Sequence, residues 1–316
     1  MNKAYFLFSL SILLILSSCN NSIKKEKIII FHAGSLSVPF KQMAHEFEKK
    51  YPNTKVILES AGSRACARKI TDLNKPCDII ASADYKVIDN LLIPEYAHWN
   101  LPFATNEMTI GYQEKSERQD EITASNCMDI LLDPKVNYGR SDPDSDPCGY
   151  RAVLVSKLAE KYYHRPGLAD SLLTKDREHI RPKEVDLLAL LETQVIDYIF
   201  IYRSVAEQHG LNYIILPDSI SLKSPALNEF YQTVSVQVSG KKPGEYISHK
   251  GSSMVYGLTQ LTNAPNPELA QKFLEFFFVD SVGIKIMEKN GQPSVISSKT
   301  EAFEKVPEYL KGFGRQ

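Results

Sequence analysis

Lys27-Ile28-Ile29-Ile30-Phe31-His32-Ala33-Gly34-Ser35 is a compact apolar run that ends in small residues, and an amphipathic stretch from Val38 to Tyr51 follows it. Strand, tight turn, helix is the reading this order gives. The pattern then repeats. Val56-Ile57-Leu58 predicts a second buried strand, Ala61-Gly62-Ser63 a second turn, Arg64 to Leu73 a second helix and Asp78-Ile79-Ile80-Ala81-Ser82 a third strand. Strands and helices alternating in this way build an open, mostly parallel sheet, and such sheets receive ligands beyond the carboxyl ends of their strands. Both small-residue turns fall at those ends.

From Phe103 the rhythm restarts. Met108-Thr109-Ile110-Gly111-Tyr112, Val136-Asn137-Tyr138-Gly139-Arg140 and Tyr198-Ile199-Phe200-Ile201-Tyr202 predict strands of a second α/β unit. Ser253-Met254-Val255-Tyr256-Gly257-Leu258 predicts a later strand, and Pro267 to Ile286 one or two helices that return to the first unit. Two α/β lobes with two crossings describe this order: residues 27–104 and 254–316 in one lobe, 105–253 in the other.

The chain of 316 residues is 43% hydrophobic and 24% charged, enough apolar material for one large or two medium globular domains and no mark of disorder. A formal net charge of −1 provides no long-range pull toward nucleic acid or an anionic membrane, so affinity for an anion has to come from local dipoles and side chains. Lys3, an apolar run from Ala4 to Leu16 and then Leu16-Ser17-Ser18-Cys19 describe a secretory signal peptide over residues 1–18, too short for an ordinary membrane span. Cys19 directly after Leu-Ser-Ser resembles the bacterial lipobox. That likeness implies a lipidated Cys19, a tether over residues 19–26 and an exported protein held at a membrane by its lipid alone, on the periplasmic or extracellular face. Cys66, Cys77, Cys127 and Cys148 show no CxxC or zinc spacing; export permits disulfides among them, and sequence does not pair them.

The turn Ala33-Gly34-Ser35 sets a glycine and a hydroxyl at a helix N-terminus, where free backbone N–H groups and the helix dipole favour an anion. Alone, such a turn reads more simply as a serine cap. Ala61-Gly62-Ser63-Arg64 repeats it at the next strand-to-helix junction, and two adjacent turns point to an anion pocket. Neither contains GxGxxG or GxxxxGK, which argues against a nucleotide.

Phe31-His32-Ala33-Gly34-Ser35-Leu36, Ala61-Gly62-Ser63, Asp78-Ile79-Ile80-Ala81-Ser82-Ala83-Asp84 and Gly139-Arg140-Ser141-Asp142-Pro143-Asp144-Ser145-Asp146-Pro147-Cys148-Gly149-Tyr150-Arg151 resemble the tungstate/molybdate-binding proteins of ABC importers. Ile180-Arg181-Pro182-Lys183-Glu184, with the block Tyr198 to Ala206, is similar to the archaeal branch of that family. The resemblance spans most of the chain, which is shorter than that branch between Tyr150 and Ile180. It implies the two-lobed periplasmic-binding-protein fold of type II, with two crossover strands and a tetrahedral oxyanion between the lobes. It further implies a monomer that takes tungstate or molybdate as its ligand, needs no cofactor and delivers to an ABC permease with its ATPase.

Carried over residue by residue, the resemblance places oxyanion contacts at Ser35, Ser63, the backbone N–H of Cys148 and the phenol of Tyr202. It places two carboxylates, Asp146 and Glu184, at the tungsten or molybdenum atom of the anion, with Asp142 and Asp144 competing for the first role. A carboxylate beside a dianion is unfavourable unless it is protonated or meets a Lewis-acidic centre. Asp142 to Asp146 with interleaved prolines is also plain turn composition. Arg64, Arg140 and Arg151 are candidates for positive potential.

Alternatives are binding of sulfate, phosphate or a carboxylate, and an exported hydrolase. Catalysis lacks support: there is no GxSxG elbow, Ser35 has no identifiable base, and the seven histidines form no HxH or HxxxH cluster. His32, at a strand end, reads as a turn or pocket-rim residue.

Overall fold

A computed structural model describes residues 25–316, the side chain of Asp176 excepted. The signal segment, Cys19 and nearly all of the expected tether lie outside the described residues.

The strands predicted from apolar runs form. β1 (Glu26–Ala33), β2 (Thr54–Ala61), β3 (Ile79–Ser82) and β4 (Leu101–Thr105) combine with β12 (Val255–Gln260) in a five-stranded sheet ordered β2-β1-β3-β12-β4. β5 (Met108–Tyr112), β6 (Tyr138–Ser141), β7 (Ile180–Arg181), β8 (Tyr198–Tyr202) and β9 (Asn212–Ile214) make a second, ordered β7-β6-β8-β5-β9. The two sheets share one plan. In each, three parallel neighbours are followed by a strand that runs antiparallel, which in turn pairs antiparallel with the edge strand. The chain passes from one sheet to the other through Asn106 and Glu107, and returns after β9 by way of a hairpin, β10 (Ser235–Ser239) and β11 (Tyr246–Lys250).

β1 is buried over its last residues and is flanked on both sides by parallel strands, which is why it reads as an unbroken apolar run and not as an alternation. The helix Ser37–Lys50 after it buries Phe40, Met43, Ala44 and Phe47, spaced i, i+3, i+4, i+7 so that one stripe faces the core. That stripe meets Phe273, Phe276 and Phe277, with ring centroids 5.2 Å apart for Phe47 and Phe273 and 6.3 Å for Phe40 and Phe277. The C-terminal helices therefore close on the first sheet's helix.

The structure refines two parts of the sequence reading and corrects a third. Gly34-Ser35-Leu36 is a 3-10 turn before the helix proper. Pro267 to Ile286 divides into a helix (Pro267–Leu274), a π-helical turn (Glu275–Val279) and a further helix (Val282–Lys289), the last packing Gly283 against the Phe277 ring. His32 is no rim residue: it is 2% exposed, its Nδ1 lies 2.8 Å from the Ala33 carbonyl, and burial pushes its pKa down to about 4. Cys66, Cys77, Cys127 and Cys148 are all buried and free.

Candidate functional site

The carboxyl ends of β1, β2 and β3 present Gly34-Ser35, Gly62-Ser63 and Ala83-Asp84; the ends of β6 and β8 present Ser141 and Tyr202. The two groups of strand ends face each other. A β-carbon on Gly62 would stand 2.2 Å from the Ser145 carbonyl oxygen, and the Ala65 N–H donates to that same oxygen at 3.1 Å. The Arg64 side chain donates to the Asp144 carbonyl at 3.1 Å and also reaches the Ser239 carbonyl. The lobes thus meet over the junction. Ser35, Ser63, Asp146, Cys148, Glu184 and Tyr202 are each buried, none more than 1% exposed.

Asp146 begins the helix Pro147–Tyr162 as its N-cap, with proline in the first helical position, where a missing N–H costs nothing. Its Oδ1 accepts from the Cys148 N–H at 3.3 Å and its Oδ2 from the Glu184 N–H at 2.9 Å. One carboxylate therefore ties the helix start to the 3-10 turn Glu184–Asp186. Of the three neighbouring aspartates only Asp146 is buried. Asp142 accepts from the Asp144 N–H and the Ser145 hydroxyl, and exposed Asp144 accepts from the Ser239 N–H.

Glu184 differs from Asp146. Both its carboxylate oxygens are buried and neither meets a hydrogen-bond donor. They stand 3.0 Å from where a β-carbon on Gly34 would be, so the absent side chain of Gly34 leaves the space they fill. Burial, and next the Asp146 charge, hold this carboxyl well above the usual range.

The three hydroxyls sit in fixed donor environments. Ser63 Oγ accepts from the Ala83 N–H at 2.9 Å, Tyr202 Oη from Arg151 Nη1 at 2.8 Å, and Ser35 Oγ from the Tyr256 hydroxyl at 3.1 Å. Arg151 also donates to the Ala83 carbonyl at 2.8 Å and faces Asp84 at 3.5 Å, while Tyr150 donates to Asp84 at 2.6 Å. Burial alone would raise the Asp84 pKa; the Arg151 guanidinium, with His249 and Lys86 beside it, outweighs this and holds it below the usual range. Arg64 and Arg151 thus hold the lobes together rather than lying open to solvent. Arg140 donates to the Ser141 carbonyl at 3.3 Å. The sequence reading did not single out Asp84, Asn106 or Tyr256 for this junction, although Asp84 closes a quoted motif.

The sequence that builds these two sheets and their junction matches the family model for bacterial extracellular solute-binding proteins over residues 28–291. The chain belongs to that family. Among related solute-binding proteins, an uncharacterized one from Petrotoga mobilis is 52% identical over 288 residues, 91% of this chain and 89% of its own. The molybdate/tungstate-binding protein of Pyrococcus abyssi is 43% identical over 316 residues, covering 92% and 90%. Among solved structures, the periplasmic molybdate-binding protein of Azotobacter vinelandii aligns with a TM-score of 0.58 at 14% identity, over 84% of this chain and 98% of that one. The sulfate-binding protein of Mycobacterium tuberculosis aligns at 0.59 and 13%, over 85% and 87%. At these identities the structures speak for the fold: this solute-binding protein has the two-lobed type II architecture. Among the described residues, no helix is long and apolar enough to cross a membrane, and no group of three or more His, Cys, Asp or Glu side chains is arranged to hold a metal ion.

Proposed function

We propose that the protein captures tungstate or molybdate and hands it to an ABC permease with its ATPase, acting as a binding protein and not as an enzyme. The observation that carries this reading is Glu184: a buried carboxylate with no donor, set against Gly34 of the opposite lobe next to Ser35, in a junction whose Ser35, Ser63 and Tyr202 hydroxyl oxygens are already supplied with donors. A ligand suited to such a place brings oxygens to the hydroxyls and an electropositive centre to the carboxylate. Large metal oxyanions do both, because the metal can add ligands to its four oxygens. Sulfate offers oxygens but no open centre, and its shorter bonds leave donors unpaired. The molybdate/tungstate-binding relative at 43% identity supports the same reading.

In this proposal Ser35, Ser63, the Cys148 N–H and Tyr202 contact oxyanion oxygens, and Asp146 and Glu184 approach the metal atom. The Cys148 N–H serves the anion while sharing Asp146 Oδ1, a long bond at 3.3 Å. Residues 27–104 with 254–316 form the lobe that meets the anion first, and residues 105–253 close over it. Cys19 carries the lipid that keeps this monomer at the membrane.

A second ligand class would also use Glu184. A protonated oxyanion such as hydrogenphosphate would donate its O–H to that acceptor. Titration calorimetry of residues 20–316 with tungstate, molybdate, sulfate and phosphate separates the two. Tight binding of the two large oxyanions alone is expected; preferential phosphate binding would replace the reading with the second. Detergent-phase partitioning of the full chain, lost in Cys19→Ser, checks the anchor.

A further inference from the structure

The hydroxyl of a serine can point its proton or its lone pairs at a ligand, and only the first suits an anion. At Ser35 the choice is made by residues far away in sequence. Asn106, in the two-residue passage between β4 and β5, donates from Nδ2 to the Tyr256 hydroxyl at 3.0 Å and to Ser204 Oγ at 2.7 Å. Its Oδ1 accepts from the Glu107 N–H at 2.9 Å, and from the Ser204 N–H at 3.4 Å, and two backbone donors on that atom fix which way the amide faces. Because Asn106 Nδ2 can only donate, the Tyr256 oxygen is an acceptor there and its proton goes to Ser35 Oγ. Ser35, supplied in turn, is left with its own proton to give. Asn106 is 5% exposed, Tyr256 and Ser35 at most 1%, so water does not compete for these bonds.

We propose that Tyr256, oriented by Asn106, is a positioning residue that makes Ser35 a hydrogen-bond donor to the bound oxyanion, linking the passage between the lobes to the polarity of the site. The relay deepens the functional reading above and rests on it. It starts on the two-residue passage between the sheets and ends on an atom proposed above to contact the ligand. Asn106 touches both sides: Ser204 follows β8 of the second sheet, and Tyr256 lies on β12 of the first. A shift at the passage therefore changes which way the Ser35 hydroxyl points.

The test is a double-mutant cycle. Tungstate affinity is measured by calorimetry for residues 20–316 and for Ser35→Ala, Tyr256→Phe and the double variant. Phenylalanine keeps the ring beside Phe103 and Tyr202, and Asn106 retains Ser204 as a partner, so the variant folds; apo melting curves check this. Each single change is expected to weaken binding about 10-fold or more, as loss of a hydrogen bond to a charged ligand does. If Tyr256 acts through Ser35, the double variant binds within about 2-fold of Ser35→Ala alone. Unchanged affinity in Tyr256→Phe, or a double variant weakened by the product of the two single losses, overturns the relay while leaving the functional reading in place. A parent chain that binds none of tungstate, molybdate, sulfate and phosphate overturns both.

Discussion

Glu184 lies against Gly34 across the junction of the two lobes, its carboxylate oxygens 3.0 Å from the position a β-carbon would take. Gly62 meets its counterpart more closely, with the Ser145 carbonyl 2.2 Å from its missing β-carbon. The two contacts differ in what can yield. A carboxylate at the end of a flexible side chain can swing aside, whereas a backbone carbonyl moves only with its lobe. Gly34→Ala should therefore still close but displace Glu184, and Gly62→Ala should hold the lobes apart. Small-angle scattering with saturating tungstate is expected to give the parent's radius of gyration for the first variant and a larger one for the second. The empty Gly34→Ala protein should keep the parent's melting temperature, whereas Gly62→Ala, which parts the Ala65–Ser145 and Arg64–Asp144 contacts, should lower it.

Glu184 itself is a cost to the empty protein, since its buried oxygens have no donor and burial favours the neutral acid. Glu184→Gln should leave the apo melting temperature unchanged or raise it by a few degrees, yet weaken tungstate binding at least about 10-fold. A loss of both stability and affinity would mean that Glu184 holds the fold and not the ligand.

Asp146 is expected to behave oppositely in the empty protein. Its two oxygens satisfy the N–H groups of Cys148 and Glu184, so Asp146→Ala removes a helix cap and leaves a second buried N–H without an acceptor. Together these cost roughly 2–4 kcal/mol, or a fall in melting temperature of roughly 5–15 °C. Thermal unfolding of the ligand-free variants, Asp146→Ala beside Glu184→Ala, checks the contrast. A similar fall in both would contradict the separate roles assigned to the two carboxylates.

Much of this was legible in the chain because it is local. Apolar runs ending in Gly-Ser, as at Phe31 to Ser35, carry both the strand and the turn, and the run Tyr198 to Tyr202 carries β8. The edge strands β4 and β9, the two-residue strand β7 and the β10–β11 hairpin fall outside the predicted strands, and β7 and the hairpin lack such runs. Asp142, Asp144 and Asp146 share one turn and one local chemistry, so the sequence does not rank them; their surroundings differ only in the fold, where Asp146 alone is buried and its β-carbon lies 3.0 Å from the position a β-carbon on Gly62 would take. Tyr256 and Ser35 are 221 positions apart, and no periodicity connects them.

The Asp84 junction supplies the pH prediction. His249 Nε2 lies 3.4 Å from Asp84 Oδ2, with Tyr150, Arg151, Arg64 and Lys86 facing the same place. Burial lowers the His249 pKa to about 4 from its ordinary 6.5, and the positive charges of Lys86, Arg151 and Arg64 add to this against the pull of Asp84. A histidine held neutral in the native state takes its proton only on leaving that state, so between these two values the unfolded chain binds more protons and stability falls as pH falls. His32, also lowered to about 4 by burial, acts in the same direction. The melting temperature should thus be flat with respect to these histidines above pH 6.5 and drop as the pH is taken toward 4. His249→Gln, which cannot be protonated, should make that drop shallower without abolishing it, because His32 remains. Calorimetric unfolding of the two proteins across this range checks the difference; parallel curves would mean that His249 takes up no extra proton when the junction opens.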